Sequence, residues 1–542
     1  MMSEDSQADV KSPVVDEEHF DRPFSAGRPT YVLTRWLFLR ALGLIYFVAF
    51  VSFWAQAEGL IGSNGILPAA EFLAEIEQQL GAERFWLAPT LFWLNRSDTF
   101  LHLLCGGGAL LSLLLIVGSA TGPVLLLLWL FYLSLVTIGQ VFLGYQWDNL
   151  LLETGLLAVF IAPWQMERLE IGDWRLPISN PSFDDSGPSL RTGLQSSISL
   201  APVSRITLWL LRWLMFRLMF MSGAVKLLSG DPTWRSLTAL TFHYETQPLP
   251  TGTSWYVHQL PEWFQRASVL GVFAVELVVP FLIFTPRRLR FASGAVIVAL
   301  QLLILLTGNY TFFNWLTIAL CIPLYDDAFW QRFFPRRWLP AAEEIAVTRQ
   351  AGVSNLRRLI TATFAILILF ASGVQMAGLF VRPLNLPQPA RQFLTWVAPF
   401  RSVNRYGLFA VMTTSRPEII VEGSNDGETW LAYDFKWKPD DLHERPHFVA
   451  PHQPRLDWQM WFAALGRYQN NPWLINFMVR LLEGSPEVLS LLAGNPFPDT
   501  PPRFMRAVVY DYRFTDWETR QATGAWWTRE RVGLYAPELS RP

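Results

Sequence analysis

Between two long apolar runs, residues 225–261 read VKLLSGDPTWRSLTALTFHYETQPLPTGTSWYVHQLP and gather Lys226, His243, Glu245 and His258 with four tryptophan or tyrosine residues. A lysine at the outer end of a membrane helix, partly desolvated, loses enough basicity to act as a general base. The same residue also serves by lying along the apolar surface and carrying its charge to the head groups. Both readings stand for Lys226, with His243, Glu245 and His258 as possible partners in proton transfer. The two histidines are fifteen residues apart, a spacing with no metal-ligand signature. Neither a metal nor a cofactor is expected. No nucleophile elbow, HExxH, Walker loop or dinucleotide fingerprint occurs in the chain.

Three further ionisable groups lie near the middle of apolar runs: Glu153, Arg217 and Glu276. Each costs about 2.5–3.5 kcal/mol at the centre of a membrane helix, so each should face other helices and find a partner. Arg217 is expected to pair with Glu153 or Glu276, either as a clamp on helix register or as part of a polar cavity.

The elements that must hold these groups are membrane helices. Of 542 residues 51% are apolar, and up to residue 381 they are blocked into runs near the ~20 residues that span hydrocarbon. Nine runs qualify: 36–56, 101–118, 123–143, 147–163, 206–228, 267–285, 291–307, 310–325 and 359–381. The fourth and eighth are short and polar-edged, which suits re-entrant segments as well as spans. The net charge of −2 gives no electrostatic case for nucleic acid. Both cysteines, Cys105 and Cys321, sit inside apolar runs, which excludes a disulfide framework, a CxxC site and a cysteine zinc site from the polar regions. Residues 1–30 carry seven acidic residues before any apolar stretch, unlike a signal peptide, and read as a disordered tail.

Arginines set the orientation. The connectors 164–205, 286–290 and 326–358 are rich in them, whereas 57–100 has only Arg84 and Arg96 and 229–266 only Arg235 and Arg266. By the positive-inside rule the rich connectors are cytoplasmic, and the loop 229–266 and everything after about residue 382 are exported.

After a linker stiffened by Pro383, Pro387 and Pro389, Ile419, Ile420 and Val421 start a β-hairpin with its turn at 424–427. Asp457 is a plausible N-cap for a helix through Ala464, and Pro472 opens another that ends near Gly484. Strands are expected at 506–515 and 525–534, the later part pairing back onto the hairpin. The whole reads as a polytopic α-helical membrane protein: a tail over 1–30, a helical domain over 31–381, and a C-terminal exported α+β domain over 382–542.

Several separated blocks resemble one family. HYETQPLP, the early LTRWLFLRALGLIYFVAFVSFWAQAEGLIGSNGILP, QWDNLLLETG around Asp148 and Glu153, and NYTFFNWLTIALCIPLYDD are similar to the membrane blocks of the lipase maturation factor family. NRYGLFAVMTTSRPEIIVEGSNDGETW, PHQPRLDWQMWFAALG and NPFPDTPPRFMRAVVYDYRF resemble its exported domain. The resemblance implies a membrane-resident factor, in animals in the endoplasmic reticulum, that helps secreted lipases of the lipoprotein lipase type fold and assemble. The membrane part is also distantly similar to the vitamin K-dependent carboxylase group, and that likeness makes Lys226 the match for a lysine base. The exported part is free of cysteines and the chain ends ELSRP without an ER-retention tetrapeptide, which fits a bacterial inner membrane as well as an endoplasmic reticulum.

Two functions follow from different premises. A folding factor, with an exported lipase as client and membrane lipids around it, needs an exposed aromatic surface; Trp255, Tyr256, Trp458, Trp461 and Phe462 are its candidates, although the last three also suit the buried face of an amphipathic helix. The alternative is a membrane enzyme acting on a lipid or quinone-like substrate with Lys226 as base. Transport ranks last, since paired broken helices are not evident.

Overall fold

The computed structural model describes residues 29–164, 199–335, 354–381 and 383–541. The acidic tail, Arg168, Arg175 and Arg191, and Arg336, Arg337 and Arg349 fall outside these described residues.

Among the described residues, nine helices follow the apolar runs. They are α1 (Val32–Trp54), α2 (Asp98–Val117), α3 (Thr121–Ile138), α4 (Gln146–Ile161), α5 (Arg205–Leu228), α6 (Glu262–Phe284), α7 (Arg287–Thr307), α8 (Phe313–Cys321) and α9 (Asn355–Phe380). Among the described residues, seven of these are long and apolar enough to cross a membrane. The exceptions are the fourth and eighth runs: α4 has 16 residues and α8 has 9 before a 3-10 turn at Ile322–Leu324. Both fall short of the ~20 needed to cross hydrocarbon, and both are packed inside the bundle, with Leu150, Leu151, Leu152, Leu316 and Leu320 fully buried. By contrast only 22% of the apolar window of α6 and of α7 is buried, so their outer faces meet lipid.

Helix ends follow local chemistry. Ser97 Oγ accepts from Phe100 N at 3.3 Å to start α2, and Gly118, at φ 103°, ends it in the left-handed conformation. Ser204 and Ser354 cap α5 and α9 in the same way. Inside α6 the ladder widens to a π segment at Ala274–Val278 and then tightens to 3-10 geometry at Val279–Phe284, where Pro280 lacks an N–H donor. Gly108 of α2 meets the ring of Phe50 so closely that a Cβ would overlap it, which lets α1 and α2 approach.

Beyond residue 382 the chain adds a four-stranded antiparallel sheet ordered β2-β1-β3-β4, from β1 (Arg416–Ser424), β2 (Leu431–Ala432), β3 (Phe504–Phe514) and β4 (Trp527–Ser540). The late strand β3 pairs with β1, placing Ile420 opposite Val508. Asp426 shapes the hairpin turn by accepting from Glu428 N at 2.8 Å and Thr429 N at 2.7 Å, bonds that hold its carboxyl well below the usual range. Helices α10 (Arg455–Ala464) and α11 (Pro472–Glu483) pack on the sheet. Gly484, at φ 74°, terminates α11.

Two expectations need correction. The proline-rich segment is not only a linker, because Gln388–Val397 forms a helix. Asp457 does not cap α10, which begins after Pro454. Its carboxylate instead accepts from Trp437 N and Lys438 N, both at 3.0 Å, and burial pushes its pKa up to about 6.

The sheet region is welded to the helices. One hydrophobic cluster runs from Phe38 and Leu211 of the bundle to Val421 and Phe477 of the tail. Across the junction Arg455 grips Asp148, with Nη2–Oδ1 at 2.9 Å and Nη1–Oδ2 at 3.1 Å, while Tyr132 Oη donates to Oδ1 at 2.5 Å. Asn309 Nδ2 donates to Leu249 O and His447 O, and its Oδ1 accepts from Val449 N and Ala450 N. Arg416 donates to the carbonyls of Glu245, Gln247 and Pro248, fastening the loop after α5 to β1.

Candidate functional site

The connector between α5 and α6 folds into three short helices, Pro232–Arg235, Ala239–Thr246 and Gly252–His258. Together with Leu408 and Phe409 they roof a cavity of about 510 Å³ bordered by α5, α6, α7 and α8. Its walls are mostly aliphatic and aromatic, and its polar groups are Lys226, Glu276, His243, Tyr310, Gln301 and Asn314 with a few hydroxyls.

Lys226 is buried at 5% exposure, so it does not reach for the head groups. Its Nζ donates to Glu276 Oε1 at 2.9 Å, Glu276 Oε2 at 2.7 Å and Ser222 O at 3.2 Å, and lies 5.3 Å from the Trp234 ring centre. All three donors of the ammonium are therefore used. A lysine so held has no free lone pair to accept a proton, and the geometry lends the base reading no support. The π segment of α6 carries Glu276 to this position, and Gly223 of α5 leaves room for it.

The pairing of buried charges is thereby settled. Arg217 donates to Glu153, and Glu276 belongs to Lys226. Glu153 also accepts from Asn404 N at 3.0 Å and Tyr406 Oη at 2.7 Å. The clamp thus includes the segment leading into the sheet. Sequence reading missed Asn404 and Tyr406, and also Arg455 as the partner of Asp148; the isolated polar residues in QWDNLLLETG were the available signal.

A chain of hydrogen bonds fixes the tautomer of His243. Gln247 Nε2 donates to Tyr244 O at 3.1 Å and Thr307 O at 2.7 Å, which leaves Oε1 to accept from Tyr310 Oη at 2.9 Å. With its proton so committed, Tyr310 accepts from His243 Nε2 at 3.0 Å. Among the described residues, His243 Nδ1 is left as a bare acceptor without a partner. Burial, with Lys226 adding to it, pushes the His243 pKa down to about 4, so the ring is neutral at pH 7. Asn314 presents the same chemistry: Nδ2 donates to Gln301 Oε1 at 2.7 Å, and Oδ1 has no partner among the described residues.

Glu245 and His258 do not line this cavity. Glu245 Oε2 accepts from Phe514 N at 3.1 Å and lies 3.8 Å from His258 Nε2, tying the loop to β3.

The aromatic candidates divide by exposure. Trp255, Trp458 and Trp461 are buried, Trp255 against Trp517 and Trp526 of the tail. Tyr256 and Phe462 are 43% and 42% exposed. Trp517, not singled out from the sequence, is 51% exposed and lies 5.7 Å from Tyr256 between ring centres. Loop and tail aromatics thus merge into one patch.

Both parts of the chain match known sequences. The lipase maturation factor transmembrane domain profile matches residues 33–332, and the lipase maturation factor C-terminal domain profile matches residues 402–537. The chain is 37% identical to lipase maturation factor 2 of Xenopus tropicalis over 94% of its own length and 82% of the frog protein. It is 36% identical to lipase maturation factor 1 of Bos taurus, covering 96% of this chain and 91% of the bovine one. The human lipase maturation factor 1 is 35% identical, over 94% and 88% respectively. No solved structure matches the chain significantly. A polytopic helical bundle welded to a small α+β unit, with both family domains matched in order, makes this integral membrane protein a member of the lipase maturation factor family.

Proposed function

We propose that the chain is a membrane-resident maturation factor that helps exported lipases fold and assemble. The observation that carries this reading is the match of both family domains along nearly the whole chain, to proteins named for lipase maturation. The geometry supports it with a surface: Tyr256 from the loop and Trp517 from the tail stand exposed on a base of buried rings, Trp255 and Trp526. Rigid aromatic rings of this kind suit contact with a partly folded apolar client.

Sidedness belongs to the same reading. Arg287 bonds to Asp326, Asp327 accepts from Val32 N and Thr34 N, and Arg290 donates to Leu324 O, so three segments assigned to the cytoplasmic side meet at one end of the bundle. The loop after α5 and the sheet region join at Arg416, and we place them on the periplasmic or lumenal side. The host membrane is the bacterial inner membrane or the endoplasmic reticulum.

The test is co-expression with an exported lipase. Tyr256→Ser combined with Trp517→Ser should lower lipase activity per lipase molecule while the amount of variant in the membrane stays unchanged. Full lipase activity with that pair would remove the patch from the mechanism.

A further inference from the structure

The cavity under the loop is built for a ligand of narrow chemistry. Its size is that of pockets that enclose a small amphiphile, ~300–1,000 Å³, at about 510 Å³. Its mouth lies between α6 and α7, where Gly271, Val296, Ala299 and Leu303 are exposed. Those two helices leave most of their apolar windows uncovered, so the mouth opens sideways into acyl chains rather than into water.

The polar lining narrows the choice further. Lys226 and Glu276 neutralise one another at 2.7 Å, so no charge is left over for a phosphate or an ammonium head group. Among the described residues, two buried acceptors of the lining side chains remain without donors, His243 Nδ1 and Asn314 Oδ1. A buried polar atom left unpaired costs about 1–3 kcal/mol, and a ligand that donates to it removes that cost. A quinone or an ester without hydroxyls has no hydrogen to give, and a fatty-acid carboxylate would face acceptors with its own negative charge. A neutral alcohol with an apolar chain answers every one of these features.

We propose that this cavity binds a neutral single-chain lipid bearing free hydroxyls, of the monoacylglycerol class, its hydroxyls donating to His243 Nδ1 and Asn314 Oδ1 and its chain leaving between α6 and α7. The neutral state of His243 at pH 7 keeps Nδ1 available as an acceptor. The arrangement also gives a use to the π segment that turns Glu276 inward, since the ion pair with Lys226 forms a charge-neutral wall.

The experiment uses the full chain in phosphatidylcholine nanodiscs and a monoacylglycerol probe with a photoreactive diazirine in its chain. Labelling should map to residues 262–307. Monooleoylglycerol should displace the probe at about tenfold lower concentration than methyl oleate, the difference expected for two neutral hydrogen bonds. Gly271→Phe should abolish labelling with the thermal midpoint unchanged, since a Cβ at Gly271 meets nothing within 4 Å. If that variant loses stability, Ala299→Phe on the facing helix is judged by the same criterion. Equal displacement by methyl oleate, or undiminished labelling in the stable mouth variant, would overturn the proposal.

Discussion

Replacing Arg455 by methionine removes the guanidinium that joins the sheet region to the helical bundle. Asp148 is 0% exposed, and after the change its carboxylate keeps, among the described residues, only the Tyr132 hydroxyl and the Tyr145 amide at 3.3 Å. Phe142 O also loses its 2.6 Å donor. Breaking a buried pair by removing one partner costs about 3–5 kcal/mol, because the other charge stays buried without compensation. That is a large share of a typical folding stability of about 5–15 kcal/mol. Adding Asp148→Asn removes the stranded charge and keeps an acceptor for Tyr132, so the double variant should regain roughly 2 kcal/mol or more. The assay is thermal unfolding of the detergent-purified chain, with limited proteolysis of the region after residue 402. Arg455→Met should lower the midpoint by about 3–4 °C, since a chain of 542 residues shifts by roughly 1 °C per kcal/mol, and should expose the tail to protease, and the double variant should recover part of both. A wild-type midpoint and a resistant tail in Arg455→Met would refute the claim that this pair locks the two regions together.

Glu276→Leu should strand the buried Lys226 ammonium and reduce the yield of folded protein, whereas Glu276→Leu with Lys226→Met should restore it; equal yields of single and double variants would contradict the pairing. Gly59→Ala should loosen the contact of Ala57–Ile61 with Pro486–Leu489, because its Cβ would overlap the Glu487 carbonyl, and should lower the thermal midpoint where Gly271→Ala does not. His243 has a folded pKa of about 4 against its ordinary 6.5, so the unfolded chain binds the proton more readily and stability falls as pH drops from 6.5 towards 4. Over that window His243→Phe should lose up to about 3 kcal/mol less than the wild type, read from unfolding at each pH; parallel pH profiles would contradict a neutral His243.

The helices and strands were legible where pattern alone decides them. Apolar runs of membrane length gave the long helices, and Pro472 with Gly484 bracketed α11 because proline fits a first turn and glycine a left-handed end. Long-range partners were not legible. Arg217 had two possible acids, and only the π segment in α6, which turns Glu276 towards Lys226, divides them. The run of proline and polar residues after 382 marks a change of composition without revealing that Arg455 plugs into the bundle and Arg416 into the loop after α5. Trp255 shows the same limit, since an aromatic in a polar segment looks exposed until its neighbours are known, whereas helical spacing already offered a buried face for Trp458 and Trp461. At the candidate site, sequence found Lys226 and His243, but Tyr310 and Asn314 entered only as part of the apolar run 310–325 and of the block NYTFFNWLTIALCIPLYDD.

The most direct measurement places this chain in cells lacking their own maturation factor, together with a secreted lipase of the lipoprotein lipase type, and compares lipase activity per mass of lipase with and without it. A maturation factor raises that specific activity and shifts the lipase from aggregate to assembled enzyme. An unchanged specific activity, with the chain folded and present in the exporting membrane, would contradict the account.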